Sequence, residues 1–316
     1  MRVLLVGGNG FIGSHVQHEL VRSAIDVRVL DAQAVAPDAM LTDVEYRVEP
    51  TICSGVLNDA LDGVDTVVYL ASTTVPATSN SDVADDISSN LIPLITTLDA
   101  MLRCGVSRII YLSSGGAVYG VGDGSPLTES SPLDPICSYG VVKLAAEKYL
   151  HMYRHLYGMH PLILRPSNPY GPRQGKRGVQ GFISTCMSRM MRGESIQIWG
   201  DGSVVRDYLY IDDLTRAILL GIKGNAEGIL NIGSGIGYSL NEVLLTLSET
   251  TGLEAHIELL DGRDFDVPSM VLSASRAASV LGWTPAYSLE SGIAAYWRWM
   301  RPDGSGESSS GIQESS

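Results

Sequence analysis

A tyrosine and a lysine stand one helical turn apart in Ser138-Tyr139-Gly140-Val141-Val142-Lys143, which places both side chains on one helix face. A free phenol has a pKa of roughly 10 and is a poor base at neutral pH. An ammonium one turn away stabilises the phenolate, and an oxidised nicotinamide adds to this, so the pair suits proton transfer. Tyr and Lys at this spacing also occur as a packing ring beside a solvated amine, so the pair needs context. That context opens the chain: Val3-Leu4-Leu5-Val6, then Gly7-Gly8-Asn9-Gly10-Phe11-Ile12-Gly13, then a helical segment. Glycines at 7, 10 and 13 let a backbone turn approach a pyrophosphate, whose charge the helix N-terminus favours. Asp31 ends the next strand about 20 residues on, where a carboxylate accepts from ribose hydroxyls and repels a 2′-phosphate. The expected cofactor is NAD rather than NADP.

These residues need a frame. Short apolar runs alternate with helix-period segments from Met1 to about Arg165, the pattern of a doubly wound parallel sheet covered by helices. The expected strands are Arg2–Val6, Asp26–Asp31, Val44–Val48, Asp65–Leu70, Ser107–Ser113 and Pro161–Leu164, with helices near 11–23, 54–61, 82–104 and 136–157. Further on we expect helices near 178–193, 213–223, 239–251, 274–281 and 289–299, and strands near 196–199 and 206–211. The fold class is thus α/β: a Rossmann-type NAD-binding domain over 1–166, with a return near 206–223, and a smaller, mainly substrate-binding α/β region over 167–301. From Pro302 the sequence is nearly devoid of apolar residues, and 302–316 reads as a disordered tail.

The ordered set Gly7–Gly13, Leu70-Ala71-Ser72, Ser113-Ser114-Gly115-Gly116-Ala117-Val118-Tyr119-Gly120, Tyr139/Lys143 and Leu164-Arg165-Pro166-Ser167-Asn168-Pro169-Tyr170-Gly171 resembles the extended short-chain dehydrogenase/reductases. Among them it is most similar to the NAD-dependent epimerase/dehydratase family acting on nucleotide sugars, over Met1 to about Trp299. The resemblance implies a cofactor site of Gly7, Gly10, Phe11, Ile12, Gly13, Asp31, Leu70, Ala71, Ser72, Ser113, Tyr139, Lys143 and Pro166. It implies that Asn168, Arg206 and Arg263, with Tyr139, hold a nucleotide diphosphate sugar, most readily a UDP-sugar. Paired arginines suit a diphosphate because each presents a planar donor fork; surface salt bridges to Asp207 and Asp264 are the alternative. Asn90 matches a family asparagine of structural or relay role.

The departures narrow the activity. Where the family usually has Ser or Thr, four residues before Tyr119, this chain has Gly115. Ser114 is then expected to complete the catalytic set with Tyr139 and Lys143, unless a water or a substrate hydroxyl fills the gap. Gly116 and Ala117 replace the Asp-Glu pair of the family's dehydratases, which argues against dehydration and weakens a decarboxylating reading. Glu49-Pro50 departs from the usual adenine-side motif. The expected activity is epimerisation at C4 of a UDP-hexose through a 4-keto intermediate. An NAD(P)H-dependent 4-ketosugar reductase and a non-catalytic NAD-binding regulator are the alternatives, the latter favoured only by Gly115.

Composition sets the outer bounds. A net charge of −13 opposes nucleic-acid binding through counterion release. Apolar runs stop far short of the roughly 18 residues of a membrane span, and we expect a cytoplasmic protein. The cysteines at 53, 104, 137 and 186 form no paired motif, and His151/His155 lacks the Glu of a zinc helix, so no metal is expected. By analogy, the apolar helices near 82–104 and 136–157 would pair into a homodimer's four-helix bundle.

Overall fold

The computed structural model describes residues 1–122, 124–174, 181–262 and 267–301. Arg263 and the expected tail at 302–316 lie outside the described residues. The chain begins with β1 (Arg2–Val6), α1 (Phe11–Arg22), β2 (Asp26–Asp31), β3 (Val44–Val48), α2 (Ser54–Ala60), β4 (Thr66–Tyr69), α3 (Val83–Asp86), α4 (Ile92–Cys104), β5 (Arg108–Leu112), α5 (Ser138–Tyr157) and β6 (His160–Pro166). It continues through β7 (Asn168–Tyr170), α6 (Phe182–Arg192), β8 (Ile196–Trp199), β9 (Val205–Tyr210), α7 (Ile211–Lys223), β10 (Gly228–Ile232), β11 (Gly237–Ser239), α8 (Leu240–Thr251), β12 (Ile257–Leu260), β13 (Ser269–Met270), α9 (Ser275–Leu281) and α10 (Leu289–Met300).

The main sheet has seven strands in the order β10-β6-β5-β4-β1-β2-β3, all parallel. Strands covered by helices on both faces must be apolar on both, and Val3, Leu4, Leu5 and Val6 are fully buried. The strand order reverses between β1 and β4, so the crevice beyond their carboxyl ends is where a doubly wound sheet binds ligands. The chain re-enters the main sheet from its second half at β10, which pairs with β6, Leu230 opposite Leu164; α7 packs on α1.

A second sheet is centred on β9, which pairs with β7 and β13 in parallel and with β11 antiparallel. Because β7 follows β6 after one residue, the end of the main sheet feeds directly into the second, and Asn168 lies opposite Tyr208. A third pairing joins β12 to β8. The sequence reading did not anticipate β7, β10, β11, β12 or β13.

The helix expected over 82–104 runs unbroken from Val83 to Cys104, with one change of hydrogen-bond register. Between α3 and α4, residues Ile87–Leu91 form a π-turn. Within this turn Asn90 Nδ2 donates to the Asp86 carbonyl at 3.1 Å. Pro93 follows directly, and having no N–H it cannot make the i→i−4 bond of an α-helix interior, which the π-turn before it accommodates. No described helix is long and apolar enough to cross a membrane.

Candidate active site

The glycine turn leads from β1 into α1. Gly7 has φ +79, and a Cβ there would stand 2.5 Å from the Ala71 backbone, so only glycine lets β1 and β4 end this close together. Gly13 packs on the turn itself: its Cβ would meet the Gly8 carbonyl oxygen at 2.2 Å. Around Gly10 the nearest atom is 3.7 Å away. The N-terminus of α1 has no side-chain cap and no acidic residue in its first turn, which leaves the N–H groups of its first turn and its dipole for an anion. Asp31 is fixed by the Asn9 N–H at 2.8 Å and the Gln33 N–H at 2.9 Å, and an ionised carboxylate keeps further lone pairs for hydroxyls. Leu70 continues the β1–β4 pairing through its N–H to the Val6 carbonyl at 2.8 Å, and Ser72 lies exposed in the loop beyond. A backbone cradle that a Cβ would fill, an uncapped helix start and a carboxylate at the next strand end fit a dinucleotide.

Tyr139 and Lys143 lie on the first turns of α5. The Ser114 side chain lies near enough to the Tyr139 phenol to favour its ionised form. Burial is the largest influence on Tyr139 and pushes the phenol up to about 12; Ser114 works against it, and nearby Cys137 and Asp86 add to it. Lys143 is buried, its Nζ donating to the Leu112 carbonyl at 3.0 Å and standing 5.5 Å from the centre of the Tyr139 ring. Burial lowers the ammonium to about 8, while Glu147 and Asp86 hold it up.

With protein groups alone, burial dominates, and a lysine that gives up its proton near pH 8 is neutral before a phenol at about 12 ionises. At pH 7 the site therefore holds a neutral phenol beside a mostly protonated amine.

Asn168 and Ser114 converge on Gly116, where a Cβ would lie 3.8 Å from Asn168 Oδ1 and 3.9 Å from Ser114 Oγ. Asn168 is oriented by its Nδ2 donating to the Asp207 carbonyl at 2.8 Å. Arg206 Nη1 donates to the carbonyls of Val205 and Val267 at 2.8 and 2.7 Å. Asp207 is not the surface salt-bridge partner considered for it. Its buried carboxylate accepts from Ser234 N and Oγ, Gly235 N and Leu272 N, joining β9 to two later loops. Pro166 is buried at the end of β6, opposite Ile232. Ser113 is placed differently from Ser114: its hydroxyl donates to Glu147 Oε1 at 2.6 Å.

Three supporting groups were missed in the sequence. Glu147 and Arg165 form an ion pair, 3% and 0% exposed, at 2.6 Å, and Arg165 Nη1 also donates to the Tyr119 hydroxyl at 2.8 Å. An arginine inside the apolar run Leu162–Pro166, and a glutamate one turn after Lys143, were the available signals. Asp86 is fully buried and accepts from Thr74 Oγ1, Asn90 Nδ2 and Ser138 Oγ at 2.5, 2.9 and 2.6 Å. It ties the loop after β4 and the π-turn to the residue before Tyr139. Nothing in the sequence separates it from Asp85. Asn90 also accepts from the Thr73 N–H at 2.8 Å, which gives it a structural place. No described cluster of His, Cys, Asp and Glu could hold a metal.

The sequence pattern of the NAD dependent epimerase/dehydratase family matches residues 3–233. A putative UDP-glucose 4-epimerase of Methanocaldococcus jannaschii is 32% identical over 301 residues, covering 95% of this chain and 98% of that protein. The crystal structure of the Thermotoga maritima UDP-glucose 4-epimerase with UDP-glucose superposes with a TM-score of 0.89 at 33% identity, covering 95% and 98% of the two chains. That of the Thermus thermophilus UDP-glucose 4-epimerase complex with NAD gives 0.87 at 32% identity, covering 94% and 98%. With the glycine turn, the Ser114–Tyr139–Lys143 set and the likeness running nearly end to end, the chain belongs to the NAD-dependent epimerase/dehydratase family.

Proposed function

We propose that this protein is an NAD-dependent nucleotide-sugar epimerase that inverts C4 of a UDP-hexose through a 4-keto intermediate. The observation that carries this reading is Lys143 Nζ 5.5 Å from the centre of the Tyr139 ring, with Ser114 near the same phenol, at the end of the sheet that also holds the glycine turn. NAD, when bound, supplies the hydride acceptor and donor. Gly7, Gly10, Phe11, Ile12 and Gly13 would hold its diphosphate and Asp31 a ribose, with Leu70, Ala71, Ser72, Ser113, Pro166, Tyr139 and Lys143 along the remainder.

Tyr139 takes the proton of the C4 hydroxyl and later returns it. Ser114 orients that hydroxyl and shares the proton's path. Lys143, protonated at neutral pH, stabilises the phenolate at the moment it forms. Asn168, Arg206 and Arg263 hold the diphosphate while the sugar turns. Dehydration lacks its acid and base at Gly116 and Ala117. The same reading makes the protein a cytoplasmic homodimer joined through α4 and α5, where Ile92, Val141, Leu156 and Tyr157 expose 52, 52, 57 and 54% of their surface; light scattering that returned a monomer would remove this part.

Purified protein should interconvert UDP-galactose and UDP-glucose without added reduced cofactor, and Tyr139→Phe should lose about 100-fold or more in kcat. Undiminished turnover in Tyr139→Phe would refute the reading. Stoichiometric oxidation of a reduced cofactor with a 4-keto sugar, and no interconversion, would replace it with a reductase.

A further inference from the structure

Gly115 is where the site departs from its relatives' pattern, and the structure supplies a steric reason. A Cβ at Gly115 would stand 2.4 Å from Leu272 Cδ1 and 3.1 Å from both Leu272 Cδ2 and the Arg165 carbonyl oxygen. Leu272 is fully buried, packed with Val118, Tyr119, Leu127 and Met270.

The Leu272 backbone is held on several sides. Its N–H donates to Asp207 Oδ2 at 3.2 Å. The residues on either side are tied to Leu127: the Leu127 N–H donates to the Val271 carbonyl, and the Ser273 N–H to the Leu127 carbonyl, both at 2.8 Å. Behind it lies Gly233, where a Cβ would stand 3.0 Å from Leu272 Cβ. Gly115 is itself held from the other side, its N–H donating to the Pro166 carbonyl at 2.8 Å.

We propose that Leu272 is a positioning residue of the epimerisation centre. By filling the space beside Gly115 it excludes a hydroxyl-bearing side chain there and fixes the turn so that Ser114 meets Tyr139. Glycine at 115 with a large residue at 272, and serine at 115 with a small residue at 272, are then two solutions to one packing problem. They place the catalytic hydroxyl on adjacent residues. The inference rests on reading Ser114 and Tyr139 as the reacting pair of a UDP-sugar epimerase.

The test is a set of substitutions read by urea midpoint and by steady-state kinetics with UDP-galactose. Gly115→Ser alone should lower the midpoint through overpacking and reduce kcat about 100-fold, because a displacement of about 1 Å in the turn is enough for that loss. The UDP-galactose KM should change less than about threefold, since the diphosphate is held elsewhere. Gly115→Ser with Leu272→Ala should restore the midpoint beyond the sum of the single effects and bring kcat within about 10-fold of wild type. Ser114→Ala should cost about 100-fold in the wild-type background but less than about fivefold in the Gly115→Ser/Leu272→Ala background, where the introduced serine supplies the hydroxyl. Additive midpoints, or full kcat in Gly115→Ser alone, would overturn the packing pair. Equal damage from Ser114→Ala in both backgrounds would overturn the exchange of hydroxyls. A wild-type protein inert toward UDP-galactose, with non-additive midpoints, would instead overturn the substrate reading and leave Leu272 a packing residue.

Discussion

Replacing Lys143 by methionine should separate catalysis from stability, because the structure requires the two to move in opposite directions. Nζ stands 5.5 Å from the centre of the Tyr139 ring; at an effective dielectric near 20, a unit charge at that distance is worth about 3 kcal/mol to the phenolate. That is on the order of 100-fold in kcat at pH 7. The same ammonium weakens the fold. Burial lowers Lys143 from 10.5 to about 8, so the folded state carries a penalty on the order of 3 kcal/mol at pH 7 for keeping it protonated. Because the folded value lies below the unfolded one, the penalty is fully present below pH 8 and fades as pH rises from 8 toward 10.5. Methionine nearly matches the volume and removes the charge. After about 1 kcal/mol for the lost hydrogen bond to Leu112, the variant should be more stable by about 2 kcal/mol at pH 7, or about 0.5 M or more in urea midpoint. The gap should narrow as the buffer is raised to pH 9.5. Activity is read by NMR of UDP-galactose conversion, and stability by urea titration at each pH. A Lys143→Met protein that keeps more than a tenth of wild-type kcat, or that is less stable than wild type at pH 7, would refute the reasoning.

Other parts of the site make their own demands. Glu147→Ala leaves the Arg165 charge buried without its partner and should cost about 3–5 kcal/mol in urea unfolding, whereas Glu147→Leu with Arg165→Met should recover most of it; equal midpoints for the single variant and wild type would remove the pair from the support of the site. Asp31→Asn keeps the shape but removes the charge facing a 2′-phosphate, so the preference for NAD over NADP in fluorescence titration should shrink by about 10-fold or more. Gly7→Ala must accept both a positive φ and contact with the Ala71 backbone, and calorimetry should find NAD binding weakened by at least about 100-fold; retained binding would mean that the two strand ends can part.

What could be read from the sequence followed from how local each cause was. Arg2–Val6, Asp26–Asp31 and Val44–Val48 have the same bounds in sequence and structure; for the central β1 this follows from burial on both faces, which demands a continuous apolar run. β11 and β13 exist through their pairing with β9, and so few residues carry no period of their own. The π-turn at Ile87–Leu91 is a change of hydrogen-bond register inside the helix over 82–104, which no apolar pattern records. The site divides the same way. Tyr139 and Lys143 are four residues apart on one helix and were legible. Asp86 gains its meaning from Ser138, 52 residues later, and Leu272 from Gly115, which it reaches only once the second sheet is assembled.

Gly115 was also the one feature that favoured a protein that keeps the cofactor fold without turnover. In the folded chain its missing side chain makes room for Leu272, while the neighbouring Ser114 lies near the Tyr139 phenol. A glycine accommodated in this way is no sign of decayed chemistry. Lys143 points further in the same direction. Methionine or leucine would fill its site with less strain on the fold, yet the chain buries an ammonium there and surrounds it with Glu147 and Asp86, which keep it charged against that burial. A lysine that only lined a binding site would give a buried position little in return. One that must be positive when a phenolate forms beside it accounts for the location, for the acidic residues around it, and for the stability the fold gives up.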